Sequence, residues 1–171
     1  MGRRSKASAL DVWMNGEKVG RWTVRSSGEN EFGYDAQWLR SDRVRPISLS
    51  LPLRPASQPY RGAIVEAFFD NLLPDARLVR DHMRRRLRAV SARAFDLLAE
   101  AGKDCVGALQ LLLPDQPPVG YDEIKGKALS EKDIERHLGR LSGQALGQLD
   151  EEEEIRISLA GAQEKTALLQ S

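Results

Sequence analysis

The apolar residues of this chain change their spacing at Ala63, and that change limits the folds open to it. Between Val12 and Leu51 they fall in short strand-like runs separated by turn-forming residues, and the last run, Ile47 to Leu51, alternates at every second residue as a half-buried strand does. From Ala63 the interval becomes four: Ile64, Phe68 and Leu72 form one series and Val65, Phe69 and Leu73 another, which is the apolar face of a helix. Strands followed by helices predict an α+β fold, with an N-terminal antiparallel sheet and packed helices, rather than an alternating parallel one.

Asn15-Gly16 lies between Val12-Trp13-Met14 and Lys18 to Val24, and this pair accepts the positive φ angles of a tight hairpin turn. A second turn at Ser26-Ser27-Gly28 leads into a third strand at Phe32 to Tyr34, followed by a short helical piece at Trp38-Leu39. Ile47 to Leu51 alternates and reads as a strand stopped by Pro52 and Pro55, with loop from there to Pro59. A helix from Ala63 ends near Pro74, a second covers 75–88, and a third follows Ser91 as N-cap and stops at Gly102. Val106 to Leu113 reads as a buried strand, and Ser130-Glu131-Lys132-Asp133 as a helix start. Pro114, Pro117 and Pro118 mark residues 114–120 as a linker, dividing the chain into 1–113, 114–120 and 121–171.

Charge excludes a whole-molecule bias toward polyanions, since 26 Lys and Arg stand against 25 Asp and Glu. The imbalance is local. Residues 76–93 hold seven arginines against Asp81 alone, while Asp150 to Glu154 is a run of five acids. The arginines read either as a solvated face or as a phosphate-tracking stripe whose binding would weaken steeply with salt. Cys105 is the sole cysteine and His82 and His137 the sole histidines, which leaves no disulfide pair and no cysteine-based zinc cluster. Met1 to Lys6 passes directly into Ala7 to Asp11 without the apolar core of a leader, and no apolar run reaches membrane-helix length, so a cytoplasmic protein without membrane contact is expected. Asp70 and Asn71 read as helix-end caps rather than, with Asp75, as a catalytic carboxylate group; His82 reads as solvent-facing, and Trp13, Trp22 and Trp38 as packing residues.

Residues 155–169 are the segment with chemistry in it. Ile155, Ile157 and Leu159 alternate, a small-residue turn follows at Ala160-Gly161-Ala162, and alternation resumes. A strand, loop and strand with small residues at the tip let backbone N–H groups approach phosphate oxygens closely. It is no Walker A loop, because Gly161 to Thr166 lacks the second glycine.

Residues 158–169, Ser-Leu-Ala-Gly-Ala-Gln-Glu-Lys-Thr-Ala-Leu-Leu, resemble the nucleotide loop of HipA-family serine/threonine kinase toxins. Three earlier strings are similar to the same family and in its order: Val12 to Gly16 with Val19-Gly20, Phe68 to Asp75, and Asp104 to Gln110. The resemblance implies the N-terminal portion of a HipA-type toxin that phosphorylates a serine of glutamyl-tRNA synthetase or a similar protein. ATP and Mg would serve the complete protein and would not be held tightly by this chain alone. A HipB-type helix-turn-helix antitoxin would be its partner, with DNA reached only through that antitoxin. Ser158 matches the family's autophosphorylated serine, and Ala160, Gly161, Ala162, Gln163, Glu164 and Lys165 match the loop over the ATP phosphates. The family's catalytic residues lie beyond that loop, so no catalytic or metal-binding residue is assigned and the 171 residues alone are expected to transfer no phosphate. The competing reading is a separate small HipA-like subunit acting as an antitoxin or interaction module on a kinase core; retention of 155–169 argues against it.

Overall fold

The computed structural model describes residues 8–105, 108–120 and 129–143. Its centre is a five-stranded antiparallel sheet of β1 (Ala9–Met14), β2 (Glu17–Val24), β3 (Asn30–Tyr34), β4 (Tyr60–Arg61) and β5 (Leu109–Leu112). Their spatial order is β4-β3-β2-β1-β5. Three helices follow β4: α1 (Ala63–Asp70), α2 (Arg77–Leu87) and α3 (Ala94–Ala101); a fourth, α4 (Glu131–Gly143), lies after β5. The α+β reading therefore holds, and β5 adds its edge to β1 only after the helices have been laid down.

Asn15 and Gly16 both take positive φ, 50° and 81°, as the hairpin turn requires. A bulge then breaks the β1–β2 ladder. Gly20 faces Val12 and Lys18 faces Trp13, so Val19 is an extra residue between two pairs. Lys18 and Arg21, three apart, would otherwise point to opposite sides of the sheet; the bulge puts both on the side of Asp11 while Val19 is fully buried. Gly20 leaves no room for a side chain, since a Cβ there would lie 2.3 Å from the Gly33 carbonyl oxygen.

The inner face of the sheet supplies Leu10, Val12, Trp22 and Phe32, and the helices cover it with Val65, Phe69, Phe95, Leu97 and Leu98. Trp22 stacks on Phe69 with ring centroids 4.0 Å apart and planes 4° from parallel, and takes the edge of Phe95 at 4.9 Å. Its indole N–H donates to Asn30 Oδ1 at 2.9 Å, so the one polar atom of this ring is satisfied. Trp38 is buried, Trp13 half-buried; both Trp22 and Trp38 are core residues as expected.

Residues 47–51 are a turn, not the expected strand. Only an isolated bridge joins Ser48 to Leu51, and Leu49 is 97% exposed. The serines explain it: Ser48 Oγ accepts the Ser50 N–H at 3.1 Å and bonds Ser50 Oγ at 2.8 Å, offering the backbone a local alternative to a ladder. Tyr34 pins this turn from beneath, its phenol accepting the Ile47 N–H at 3.1 Å and donating to the Leu51 carbonyl. Burial pushes that phenol up to about 12, against the opposing effect of the Ile47 hydrogen bond. Tyr34→Phe should cost about 1–3 kcal/mol, because both backbone groups lose their partner. Urea denaturation checks it, with faster proteolytic nicking at 47–51 as the local signature; an unchanged midpoint and nicking rate would count against the pin.

Helix ends differ from expectation in instructive ways. Ser91 lies outside α3, whose N-cap is Arg93; its Oγ accepts the Arg93 N–H at 3.2 Å and donates to the buried Asp96 carboxylate. Gly102 closes α3 with helical φ of −67°, and its lack of a Cβ serves packing, since one would lie 2.6 Å from Leu111 Cβ. At α4 the expected capping box is present: Ser130 Oγ accepts the Asp133 N–H at 3.3 Å and Asp133 Oδ2 accepts the Ser130 N–H at 3.1 Å. Residues 114–120 hold no helix or strand, and Val119 accepts a hydrogen bond at 3.0 Å from the Gln110 side chain on β5.

Candidate functional site

Ser158 and the Ala160, Gly161, Ala162, Gln163, Glu164 and Lys165 loop lie outside the described residues, as do the acids 150–154. Any site visible in the structure must therefore come from the sheet and the helices on it. Three places concentrate polar chemistry.

On the outer face of the sheet, Asp11 is a buried carboxylate. Arg21 Nε donates to it at 2.6 Å and Lys18 Nζ at 2.8 Å, from positions that the β2 bulge provides. Burial alone would push this carboxyl up, but the Arg21 and Lys18 hydrogen bonds and charges together outweigh it and hold the group below the usual carboxylate range. Its oxygens are committed to those two cations, so it is a structural ion cluster with no base to offer.

A hollow of about 550 Å³ opens beside Trp22, Arg25, Asn30, Glu66, Arg93 and Asp96. Its two arginines are already engaged, Arg25 by Glu31 at 2.6 Å and Arg93 by Asp96 at 3.7 Å. That removes it as an anion site. Among the described residues no group of three His, Cys, Asp or Glu could hold a metal ion.

The third place is α2, reached through the Phe68 to Asp75 string. Phe69 and Leu73 are buried and Phe68 and Leu72 half-buried, which fixes the end of α1 on the core. Asp70 is not a side-chain cap: its carboxylate takes Arg80 Nη1 at 2.6 Å and Nη2 at 3.0 Å, while Arg80 Nε donates to the Pro74 carbonyl at 2.6 Å. One arginine thus clamps the α1–α2 connection, and Met83, Val79 and Leu87 seat the helix on the core. His82 is half-buried rather than solvent-facing, with its Nε2 shielded and unpaired within the structure.

Beyond that seat, Arg77, Arg85 and Arg88 are exposed and Arg84 and Arg86 half-buried. Arg80 and Arg93 have carboxylate partners, and Arg77 approaches Asp81 at 3.9 Å. Arg84, Arg85, Arg86 and Arg88 form no ion pair among the described residues; Arg85 meets only the Asp81 backbone carbonyl, at 3.3 Å. Arg88 ends the helix in the left-handed region at φ 55°, where glycine is the usual occupant and a side chain costs about 1–2 kcal/mol. The helix dipole favours cations at this end by about 0.3–1 kcal/mol each, but neighbouring arginines repel one another by a similar amount. Local stability therefore does not account for four of them. The arginine run is legible in the sequence; that Arg80 is neutralised follows from the tertiary position of Asp70, whereas Arg93 meets Asp96 three residues on.

The comparisons agree with this architecture. A family model described as HipA N-terminal domain matches residues 10–112. The protein named "Putative kinase Y4mE" of Sinorhizobium fredii (strain NBRC 101917 / NGR234) is 37% identical over 165 residues, covering 94% of this chain and 38% of that relative. A chain from the Shewanella oneidensis MR-1 toxin–antitoxin complex of HipA, HipB and operator DNA superposes with a TM-score of 0.57 at 18% identity, over 89% of this chain and 33% of that one. At that identity the likeness shows the fold. The chain spans well under half the length of either.

Proposed function

This chain belongs to the HipA N-terminal domain family, and on that premise we propose that it is the N-terminal part of a HipA-type toxin kinase that acts in the cytoplasm. The complete protein would use Mg-ATP to phosphorylate a serine of a translation protein such as glutamyl-tRNA synthetase and so favour persistence, and would be neutralised by a HipB-type antitoxin. The observation that carries the reading is the match over residues 10–112 in a chain that continues into the Ser158 to Leu169 string. Among the described residues, no helix is long and apolar enough to cross a membrane.

In this reading the Ala160 to Lys165 loop lies over the ATP phosphates and Ser158 is its switch. A phosphate on Ser158 adds about two negative charges at the root of a loop that holds negative phosphates, so like-charge repulsion displaces the loop and blocks ATP. The test is phosphopeptide mapping of the complete protein after incubation with Mg-ATP. Phosphate is expected on Ser158, absent in Ser158→Ala, and modification confined to other residues would refute the assignment.

A further inference from the structure

We propose that the arginines left without a carboxylate partner among the described residues at the C-terminal end of α2 are a direct, sequence-independent binding surface for the phosphate backbone of double-stranded DNA. Exposed Arg85 and Arg88 and half-buried Arg84 are its core, with exposed Arg77 extending it along the helix.

The first argument is the contrast within one short segment. Arg80 and Arg93 are captured by Asp70 and Asp96, whereas Arg84, Arg85, Arg86 and Arg88 are left without a carboxylate among the described residues. One of these acids, Asp70, holds the arginine that clamps α1 to α2, and the other, Asp96, meets Arg93 within the first turn of α3. The second argument is Arg88, which holds a left-handed backbone position that a glycine would fill with less strain. What arginine adds there is an exposed guanidinium beyond the last turn.

Geometry suits a phosphate ladder. Arg77 and Arg84 lie seven residues apart and so nearly in line on the helix, and Arg88 follows at its end. At about 1.5 Å per residue the stretch from Arg77 to Arg88 extends roughly 16 Å, alongside about five phosphates of one DNA strand. The planar guanidinium forks of arginine match phosphate oxygens two at a time.

A protein partner fits less well, because lasting protein interfaces are centred on apolar groups. Between Arg84 and Arg88 the only apolar residue is Leu87, which packs into the core; exposed Leu78 and Val90 lie at the two ends of the stripe. This surface would place an element of the chain itself on DNA, beyond any contact made through an antitoxin.

The experiment is fluorescence anisotropy with the 171-residue chain and two 25-base-pair duplexes of unrelated sequence, from 20 to 200 mM NaCl. Engaging about four phosphates predicts a slope of log K against log salt near −3.6, equal for both duplexes, and on the order of a 100-fold loss between 50 and 200 mM. Arg84→Ala and Arg85→Ala should each reduce the slope by about one, and Arg43→Ala, remote and paired with Glu17, should not. Arg88→Gly is the decisive variant. It should keep or raise the thermal midpoint, because glycine suits the backbone there, yet lose about one unit of slope. No binding at 20 mM salt, a slope unaffected by Arg84→Ala and Arg88→Gly, or the same arginines capturing polyglutamate but not DNA would each overturn the proposal.

Discussion

Phe69→Ala is expected to destabilise the protein by about 3–5 kcal/mol, a large share of the roughly 5–15 kcal/mol available to a domain of this kind. Phe69 has no exposed surface and is the ring on which the two halves of the fold meet. It comes from α1, yet its stacking partner Trp22 is on β2 and a second edge contact, at 6.0 Å, is Phe32 on β3. Truncation removes the transfer free energy of the ring, leaves a cavity beside the paired strands β2 and β3, and forfeits aromatic pairs worth about 0.5–1.5 kcal/mol each. Urea denaturation should show a lower midpoint at unchanged slope. Phe68→Ala, next in sequence but half-buried, provides the control and should cost clearly less. A Phe69→Ala loss below about 1 kcal/mol would mean that sheet and helices are not joined through this stack.

The same residues show how far periodicity reaches. The four-residue spacing of Val65, Phe69 and Leu73 placed Phe69 on a buried helix face, and Asn15-Gly16 fixed the hairpin. Both are local signals, set by backbone geometry within a few residues. The β2 bulge carries none, since Lys18, Val19 and Arg21 fit an unbroken strand equally well by pattern; only pairing against β1 moves Lys18 to the outer face. Ile47 to Leu51 alternates as a strand does, but two serine hydroxyls and the Tyr34 phenol satisfy its backbone in another way. Strand β4 is two residues long and offers no period to read. For the candidate site, composition marked the α2 arginines, while the split between clamped and free ones depended on acids ten residues upstream and three downstream of their partners. The nucleotide-loop residues came from resemblance and lie outside the described residues.

Acidification from pH 7 to pH 4.5 should restore stability to Lys18→Met/Arg21→Met and bring the native protein no such gain through Asp11. In the native protein Asp11 is buried while its two partners remain partly in water, with side-chain exposures of 29% for Lys18 and 48% for Arg21. Burial pushes the carboxyl up, and the hydrogen bonds and charges of Arg21 and Lys18 pull it further down than burial raises it. The folded value therefore lies below the unfolded one of about 3.9. Asp11 contributes stability above that value, and the contribution is lost as pH falls through the lowered folded value. Removing both cations leaves a buried charge uncompensated, which should cost about 3–5 kcal/mol at pH 7. Burial then acts alone, the folded value rises above the unfolded one, and lowering the pH lets the carboxyl neutralise. The variant should regain stability from pH 7 to pH 4.5, where the native protein does not gain from this group. Asp11→Leu should be milder than the double variant, since Lys18 and Arg21 can swing into solvent. Urea titrations of the three proteins at pH 7 and 4.5 decide the matter: a double variant that weakens with acid in parallel with the native protein would mean that Asp11 is hydrated in the folded state, and that the bulge does not set up a desolvated ion cluster.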